Sequence, residues 1–276
     1  MTDFSNKLAF ITGGSSGIGL ETANLLSSHG CNLVLIARGQ AMLDNACKTL
    51  ETHTDKTSLT VNDITIDVAN NDEVEQKIKA AVEKFGTPDI LINSAGIGTA
   101  NYFENISYDQ FDKAMKINVY GTRNTISAIL PYMKRKGSGH IVNISSMAGL
   151  IGMFGYTTYS TTKYALVGFS ECLRSELKRF NIIVTLVCPP EVNTPFIEEE
   201  AKTLPPEARV VKNFAGLLTP QQAARAIVHG IKKKKFLVVP SITAKSLHFW
   251  HRISNGFLTR MPADIIIKFA ARRQEK

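Results

Sequence analysis

The sequence predicts an α/β fold in which one doubly wound parallel sheet of seven strands carries helices on both faces. Three observations lead there. Apolar runs rich in Val, Ile and Leu alternate with segments of helical length along the first 240 residues. The runs are nearly continuous in hydrophobicity, as strands covered on both faces are. A glycine-rich turn follows the first run and opens straight into a helix, which favours an open sheet over a closed barrel.

In chain order the strands are residues 8–12, 32–37, 59–67, 89–93, 140–145, 182–188 and 236–239. Helices are expected at 17–29, 40–53, 71–85, 107–135, 156–180 and 220–234. Two segments break this rhythm. Residues 189–218 carry paired prolines and three successive glutamates and read as a long mobile insertion, a kind of loop that is usually functional. In residues 241–276, Leu247, Trp250, Ile253, Phe257, Leu258 and Met261 recur at helical spacing, while Lys245, His248, Arg252 and Arg260 fall largely elsewhere around the helix. Residues 1–240 therefore read as one domain, and 241–276 as a basic amphipathic C-terminal extension.

Composition narrows the function. With 276 residues, 44% hydrophobic and 20% charged, the chain fits a soluble globular protein and excludes a fibre or a disordered tail. It can bury a core without disulfides or a structural metal. Cys31, Cys47, Cys172 and Cys188 show no CxxC spacing, so no metal site is expected and a reducing compartment is. The longest stretch without Asp, Glu, Lys or Arg, residues 137–162, is broken by glycines and hydroxyls and does not read as a membrane span. The first ten residues lack the apolar core of a secretory signal, so a cytoplasmic location is expected.

Net charge is +8, unevenly placed: residues 1–224 hold 20 Lys/Arg against 22 Asp/Glu, and residues 225–276 hold 12 against 2. That asymmetry points the C-terminal end at an anionic surface. A basic helix with aromatic residues suits peripheral contact with an anionic bilayer, to which the lysines at 232–235 add attraction. A dimer contact, or a helix packed over the pocket, is the competing reading. Nucleic acid is not expected, because there is neither zinc-finger spacing nor an aromatic RNA-binding motif.

The turn after the first strand reads Thr12-Gly13-Gly14-Ser15-Ser16-Gly17-Ile18-Gly19. Glycines at 13, 17 and 19 allow a tight turn and close approach of a pyrophosphate to free N–H groups at a helix start. The spacing is GxxxGxG, not the common GxGxxG, and a glycine-rich turn without a ligand is the plainer alternative. The second strand ends in Ala37-Arg38-Gly39-Gln40 with no carboxylate before Asp44. The fork of Arg38 can pair with a ribose 2′-phosphate, which favours NADP/NADPH over NAD, unless Arg38 is an ordinary surface arginine.

Tyr159 and Lys163 stand at i and i+4 on one helix face. A free phenol, with a pKa near ~10, is a poor acid–base group at neutral pH, and a nearby ammonium favours its ionised form. Ser146 ends the fifth strand, where parallel sheets place ligands, and Asn118 lies mid-helix. Each alone has an ordinary structural explanation; together they are far more specific.

At these residues the chain resembles the short-chain dehydrogenase/reductase family, over about residues 5–240, which implies a Rossmann-type fold. Gly13, Ser15, Ser16, Gly17, Ile18 and Gly19 match its cofactor loop, and Asp67-Val68 its adenine-contacting pair. Asn93-Ser94-Ala95-Gly96 resembles the family's NNAG turn, with Ser94 for the second Asn. The segment Pro189-Pro190-Glu191-Val192-Asn193-Thr194 resembles the stretch that holds the nicotinamide amide, with Val192 and Thr194 in the contacting places and Pro190 for the usual Gly. Ser16 stands where many NADP-preferring members carry a basic residue. Asn118, Ser146, Tyr159 and Lys163 coincide with the catalytic tetrad.

The resemblance implies that Tyr159 is the general acid in carbonyl reduction and that Ser146 hydrogen-bonds the carbonyl oxygen. By the same resemblance Lys163 lowers the Tyr159 pKa and holds the nicotinamide ribose, Asn118 positions a water, and the chain assembles as a homodimer or homotetramer. Around the expected pocket stand Met147, Leu150, Ile151, Met153, Phe154, Tyr156 and Phe196, an apolar set suited to an acyl chain or a steroid, unless these residues simply pack under the insertion. The insertion, with its paired prolines, Thr194-Pro195 and Glu198-Glu199-Glu200, resembles the 3-ketodihydrosphingosine reductase branch. The expectation is an NADPH-dependent reductase of a lipid-like ketone. A steroid, retinoid or general carbonyl dehydrogenase is the alternative within the family, and a catalytically silent, cofactor-bound membrane scaffold is the alternative outside enzymes.

Overall fold

The computed structural model describes residues 4–52, 59–212 and 216–274. The first half of the chain alternates β1 (Leu8–Thr12), α1 (Gly17–Ser28), β2 (Asn32–Ala37), α2 (Gln40–Thr52), β3 (Val61–Thr65), α3 (Asn71–Phe85) and β4 (Ile90–Asn93). Then come α4 (Tyr108–Ala114), α5 (Gly121–Lys136), β5 (Gly139–Ile144), α6 (Thr157–Leu177) and β6 (Ile182–Val187). The order of the main sheet is β3-β2-β1-β4-β5-β6 and finally β9 (Leu237–Val238), with every pairing parallel. The chain order reverses beside β1, which creates a crevice at the carboxyl ends of β1 and β4.

Alternation along each strand explains the two covered faces. Ala9, Ile11, Leu33 and Leu35 point to one side, where Leu26 of α1, Leu43 of α2 and Ile227 of α9 (Pro220–Lys232) close over them. Phe10, Val34, Ile36 and Leu91 point to the other, against Ile78 of α3, Ile129 of α5 and Leu177 of α6. Truncating any one of the buried Leu, Ile or Phe side chains among these to Ala costs about 2–5 kcal/mol.

All seven expected strands are present: β1 and β2 keep the expected bounds, β5 lies one residue earlier, and the others are shorter at their ends. Three expectations need correction. The helix expected over 107–135 is interrupted by a π-helical turn at Met115–Tyr120. Such turns recur at functional sites, and this one carries the fully buried Asn118. Directly after it, Gly121 lets α5 lie close to α3's approach: a Cβ there would come within 2.6 Å of Val68 Cγ2.

The insertion is structured. It holds β7 (Glu191–Val192), α7 (Pro195–Ala201), α8 (Pro206–Lys212) and β8 (Leu217–Leu218), and β7 pairs with β8 in parallel. Pro195 and Pro206 start helices, a position where the missing N–H has no partner to lose.

The extension is two helices, α10 (Ile242–Ile253) and α11 (Phe257–Gln274), rather than one. Asn255 and Gly256 take positive φ between them, at 51° and 85°. Leu247 turns toward Met147, Leu186 and Val239, whereas Trp250, Ile253, Phe257, Leu258 and Met261 stay exposed, so the stripe is split between core and surface. α11 packs against α8 of the insertion. The expected helix end at His53, residues 213–215 of the insertion, and 275–276 of the extension lie outside the described residues. Among the described residues, no helix is long and apolar enough to cross a membrane and no cluster of His, Cys, Asp and Glu could hold a metal.

Candidate active site

The carboxyl ends of β1, β4, β5 and β6 open into a cavity of about 240 Å³ roofed by the insertion. Its floor is built from the first glycine turn. The Thr12 hydroxyl accepts the N–H groups of Ser94 and Ala95, at 3.1 and 3.2 Å, and so ties the β1 turn to the β4 turn. The contact demands glycine at 13: φ is 65°, and a Cβ would lie 2.8 Å from the Ala95 nitrogen. Ser16 is the N-cap of α1 but makes no side-chain cap, which leaves the first-turn N–H groups free toward the cavity.

Of the expected cofactor residues, Gly13, Ser16, Gly17, Ile18, Ala95, Gly96, Tyr159, Lys163, Pro189, Val192 and Thr194 line this cavity. Ser15 and Gly19 do not line it; Gly19 backs the turn, where a Cβ would clash with the Gly13 carbonyl. Arg38 is exposed at the end of β2. Beside it, Gln40 donates to both Asp44 (2.8 Å) and Asp63 (2.7 Å), so those two carboxylates are engaged with an amide. Asp67 accepts the Ala69 N–H at 3.0 Å, and the Val68 carbonyl accepts from Asn124 at 3.0 Å. The Asn93 side chain is turned into the sheet, donating to Asn143 (2.9 Å) and accepting from Thr125 (2.7 Å).

The four expected catalytic residues converge from three elements. Ser146 follows β5 and is the N-cap of a short 3₁₀ turn, Met147–Gly149, its hydroxyl accepting the Ala148 N–H at 3.1 Å. Tyr159 and Lys163 lie on successive turns of α6, with Lys163 Nζ 5.4 Å from the Tyr159 ring centre. Lys163 donates to the Ile144 carbonyl at 3.0 Å. Asn118 is spent on the scaffold: its Oδ1 accepts the Ile97 N–H (2.8 Å), and its Nδ2 donates to the Ile97 carbonyl (2.9 Å) and to Thr162 (3.0 Å). Gly96 keeps the space between them clear, since a Cβ there would sit 3.2 Å from Asn118 Oδ1 and 3.7 Å from Lys163 Nζ.

Electrostatics departs from the sequence expectation. Burial pushes the Lys163 ammonium down to about 8. The Tyr159 phenol is raised above its ordinary value, by burial first and then by the Glu200 carboxylate, against a hydrogen bond with Ser146 that lowers it. Lys163 remains mostly charged at neutral pH, but burial and Glu200 together outweigh what lowers the Tyr159 value. In the chain alone, Tyr159 is a protonated phenol, the state a general acid needs.

Of the expected lining, Met147, Met153, Tyr156 and Phe196 reach the cavity. Leu150 and Ile151 pack under α10, and Phe154 stacks edge-on against Tyr102 at 6.0 Å. Sequence reasoning missed the charged part of the wall: Glu191, Glu200 and Lys212 also line it, joined by ion pairs of 2.8 and 2.7 Å. Three glutamates in a row at 198–200 were the available signal. Only helix geometry shows that Glu200 alone turns inward.

Comparison with known proteins agrees with this architecture. The family model for short chain dehydrogenases matches residues 7–205. The chain is 40% identical to a 3-dehydrosphinganine reductase of Danio rerio and 39% identical to a 3-ketodihydrosphingosine reductase of Mus musculus. Each match covers 79% of this chain and 66% of the relative, so the chain spans just under two thirds of their length. Among solved structures, a short chain dehydrogenase/reductase from Burkholderia phymatum in complex with NAD superposes with a TM-score of 0.79 at 25% identity, covering 90% of this chain and 93% of that one. Levodione reductase gives 0.79 at 26% identity, covering 86% and 96%. The chain belongs to the short-chain dehydrogenase/reductase family, a family of oxidoreductases.

Proposed function

We propose that the chain is an NADPH-dependent reductase of a lipid-like ketone, and that this ketone is 3-ketodihydrosphingosine, reduced to dihydrosphingosine. The observation that carries the reading is the meeting of Ser146, Tyr159 and Lys163 on one wall of the cavity whose floor is the glycine turn. The names of the relatives and the apolar side chains Met153 and Phe196 support the substrate.

The residues present fit a nicotinamide dinucleotide. Gly13 and Gly17 take positive φ and leave the turn without side chains, and the uncapped start of α1 offers N–H groups to a pyrophosphate. Arg38 is exposed where a 2′-phosphate would be met, and its neighbouring carboxylates are held by Gln40. When bound, the reduced nicotinamide supplies the hydride.

The chain's own residues do the rest. Ser146 donates a hydrogen bond to the ketone oxygen and orients the carbonyl. Tyr159 gives its proton to that oxygen as the C=O double bond becomes a single C–O bond. The phenolate left behind is stabilised by the Lys163 ammonium and the Ser146 hydroxyl until solvent returns the proton. Phe196, its ring 5.8 Å from that of Tyr159, excludes water from this face.

The extension supports a lipid setting. Phe249, Trp250, Ile253, Phe257, Leu258 and Met261 are exposed beside Lys245, Arg252 and Arg260, a pattern that fits the surface of an anionic bilayer. The test of the reading is product analysis. Incubation with NADPH and 3-ketodihydrosphingosine in mixed micelles is expected to yield dihydrosphingosine by mass spectrometry. Reduction of steroid ketones alone would keep the site and overturn the substrate.

A further inference from the structure

We infer that the Glu191–Lys212–Glu200 cluster is a recognition site for a cationic amine next to the ketone, with Glu200 the residue that sets the preference. The inference rests on the reductase reading above and concerns which ketones that site accepts.

Three charges meet here, two negative and one positive. Lys212 Nζ lies 2.8 Å from Glu191 and 2.7 Å from Glu200, and the three side chains are only 11%, 14% and 5% exposed. One ammonium cannot neutralise two carboxylates, so the cluster keeps an excess negative charge in a sheltered place, which is costly unless a further cation arrives. Among the described residues, the cavity's other cation is Lys163, whose ammonium is bonded to the Ile144 carbonyl. No carboxylate figures among the influences on its proton affinity.

A second observation points to a ligand. Tyr156 is 3% exposed and lines the same cavity, yet its hydroxyl makes no well-formed hydrogen bond with any of the described residues. Burial first, and then the Glu200 carboxylate by its charge and by a weak hydrogen-bond contact, oppose its ionisation. A buried hydroxyl so poorly partnered is costly, and an ammonium held between it and Glu200 would satisfy it.

Position ties this cluster to the chemistry. The Tyr156 ring is 6.2 Å from the Tyr159 ring, and Glu200 acts on Tyr159 as well. An amine on the carbon beside the carbonyl is therefore brought to Glu200 when the ketone meets Tyr159. That ammonium also offsets the carboxylate that holds the Tyr159 proton, so the correct substrate makes the acid stronger. The site thus takes α-ammonium ketones in preference to neutral ones.

The test compares 3-ketodihydrosphingosine with the matched 1-hydroxy-3-ketone lacking the 2-amino group, using the full chain and NADPH. The wild-type protein is expected to prefer the amine at least tenfold in kcat/KM, through both KM and kcat, and Glu200→Gln to shrink that ratio at least fivefold. Equal kcat/KM for the two ketones overturns the amine site while leaving the reductase reading intact. A preference that persists in folded Glu200→Gln overturns the assignment to Glu200. If neither ketone is reduced, the reductase reading falls and this inference with it. Should Glu200→Gln fail to fold, octadecylamine and octadecanol decide as inhibitors of the wild-type protein: at least tenfold tighter inhibition by the amine is expected, and equal inhibition overturns the site.

Discussion

The ammonium of Lys163 stands 3.0 Å from the carbonyl oxygen of Ile144, the last residue of β5. That single bond joins α6 to the strand whose continuation carries Ser146. Tyr159, one turn before Lys163, is thereby fixed near the serine proposed to share its substrate oxygen. A second link runs beside it, from the Ser145 hydroxyl to the Lys163 carbonyl at 2.9 Å. The site is held by backbone contacts on both sides of Lys163, which is the kind of pre-organisation a proton donor requires.

Asn118 is expected to matter for stability before chemistry. Its side chain satisfies both the N–H and the carbonyl of Ile97. Asn118→Ala leaves these groups without that partner, and each unsatisfied buried group costs about 1–3 kcal/mol. The expected result is a fall of about 2 kcal/mol or more in unfolding free energy, read from urea denaturation at unchanged slope.

Arg38 is expected to set cofactor choice. Arg38→Ala should raise the KM for NADPH at least tenfold and leave that for NADH within about twofold, because only the former carries the 2′-phosphate. Steady-state kinetics with both cofactors checks this. A parallel loss with both would make Arg38 a general anchor.

Acid stability is expected to depend on His140. Burial in β5 depresses its folded pKa to about 4, from an unfolded value of 6.5, with its Nε2 2.7 Å from the Thr185 hydroxyl. Between those values the unfolded chain binds the extra proton, so stability rises with pH through this window and is lost as pH falls from 6.5 toward 4. The loss from pH 7 to pH 5 through this one group is about 2 kcal/mol. Urea titrations of the wild-type protein and His140→Phe at both pH values should show a smaller difference in the variant.

The C-terminal helices are expected to bring the protein to anionic membranes. Flotation with phosphatidylserine-containing vesicles should recover the wild-type protein in the lipid fraction at low salt. Replacing exposed Trp250 and Phe257 with Ser should release most of it. Equal recovery of both proteins would mean that charge alone holds them there.

Much of this architecture is written locally. Apolar runs such as Leu33–Leu35 and the glycine turn at 13–19 state their structure within a few residues, so strands, helix starts and cavity floor are legible in the sequence. The π-turn around Asn118 is not, because nothing in Met115–Tyr120 marks an extra residue per turn. It depends on Asn118 finding Ile97 and Thr162, which are distant in the chain. The insertion misleads for a related reason: its prolines read as loop markers, although Pro195 and Pro206 begin helices. Lys212 meeting both Glu191 and Glu200 is likewise a product of tertiary folding. In the extension, helical spacing carried past Ser254 hides a break that Asn255 and Gly256 signal only weakly.

We propose Tyr159 as the proton donor in reduction of 3-ketodihydrosphingosine. This role is tested most directly by following substrate-dependent NADPH oxidation with the wild-type protein and with Tyr159→Phe, while measuring NADPH binding by fluorescence titration. The predicted result is a loss of turnover of about a hundredfold or more in the variant, with NADPH affinity nearly unchanged. Substantial turnover by Tyr159→Phe would mean that another group donates the proton.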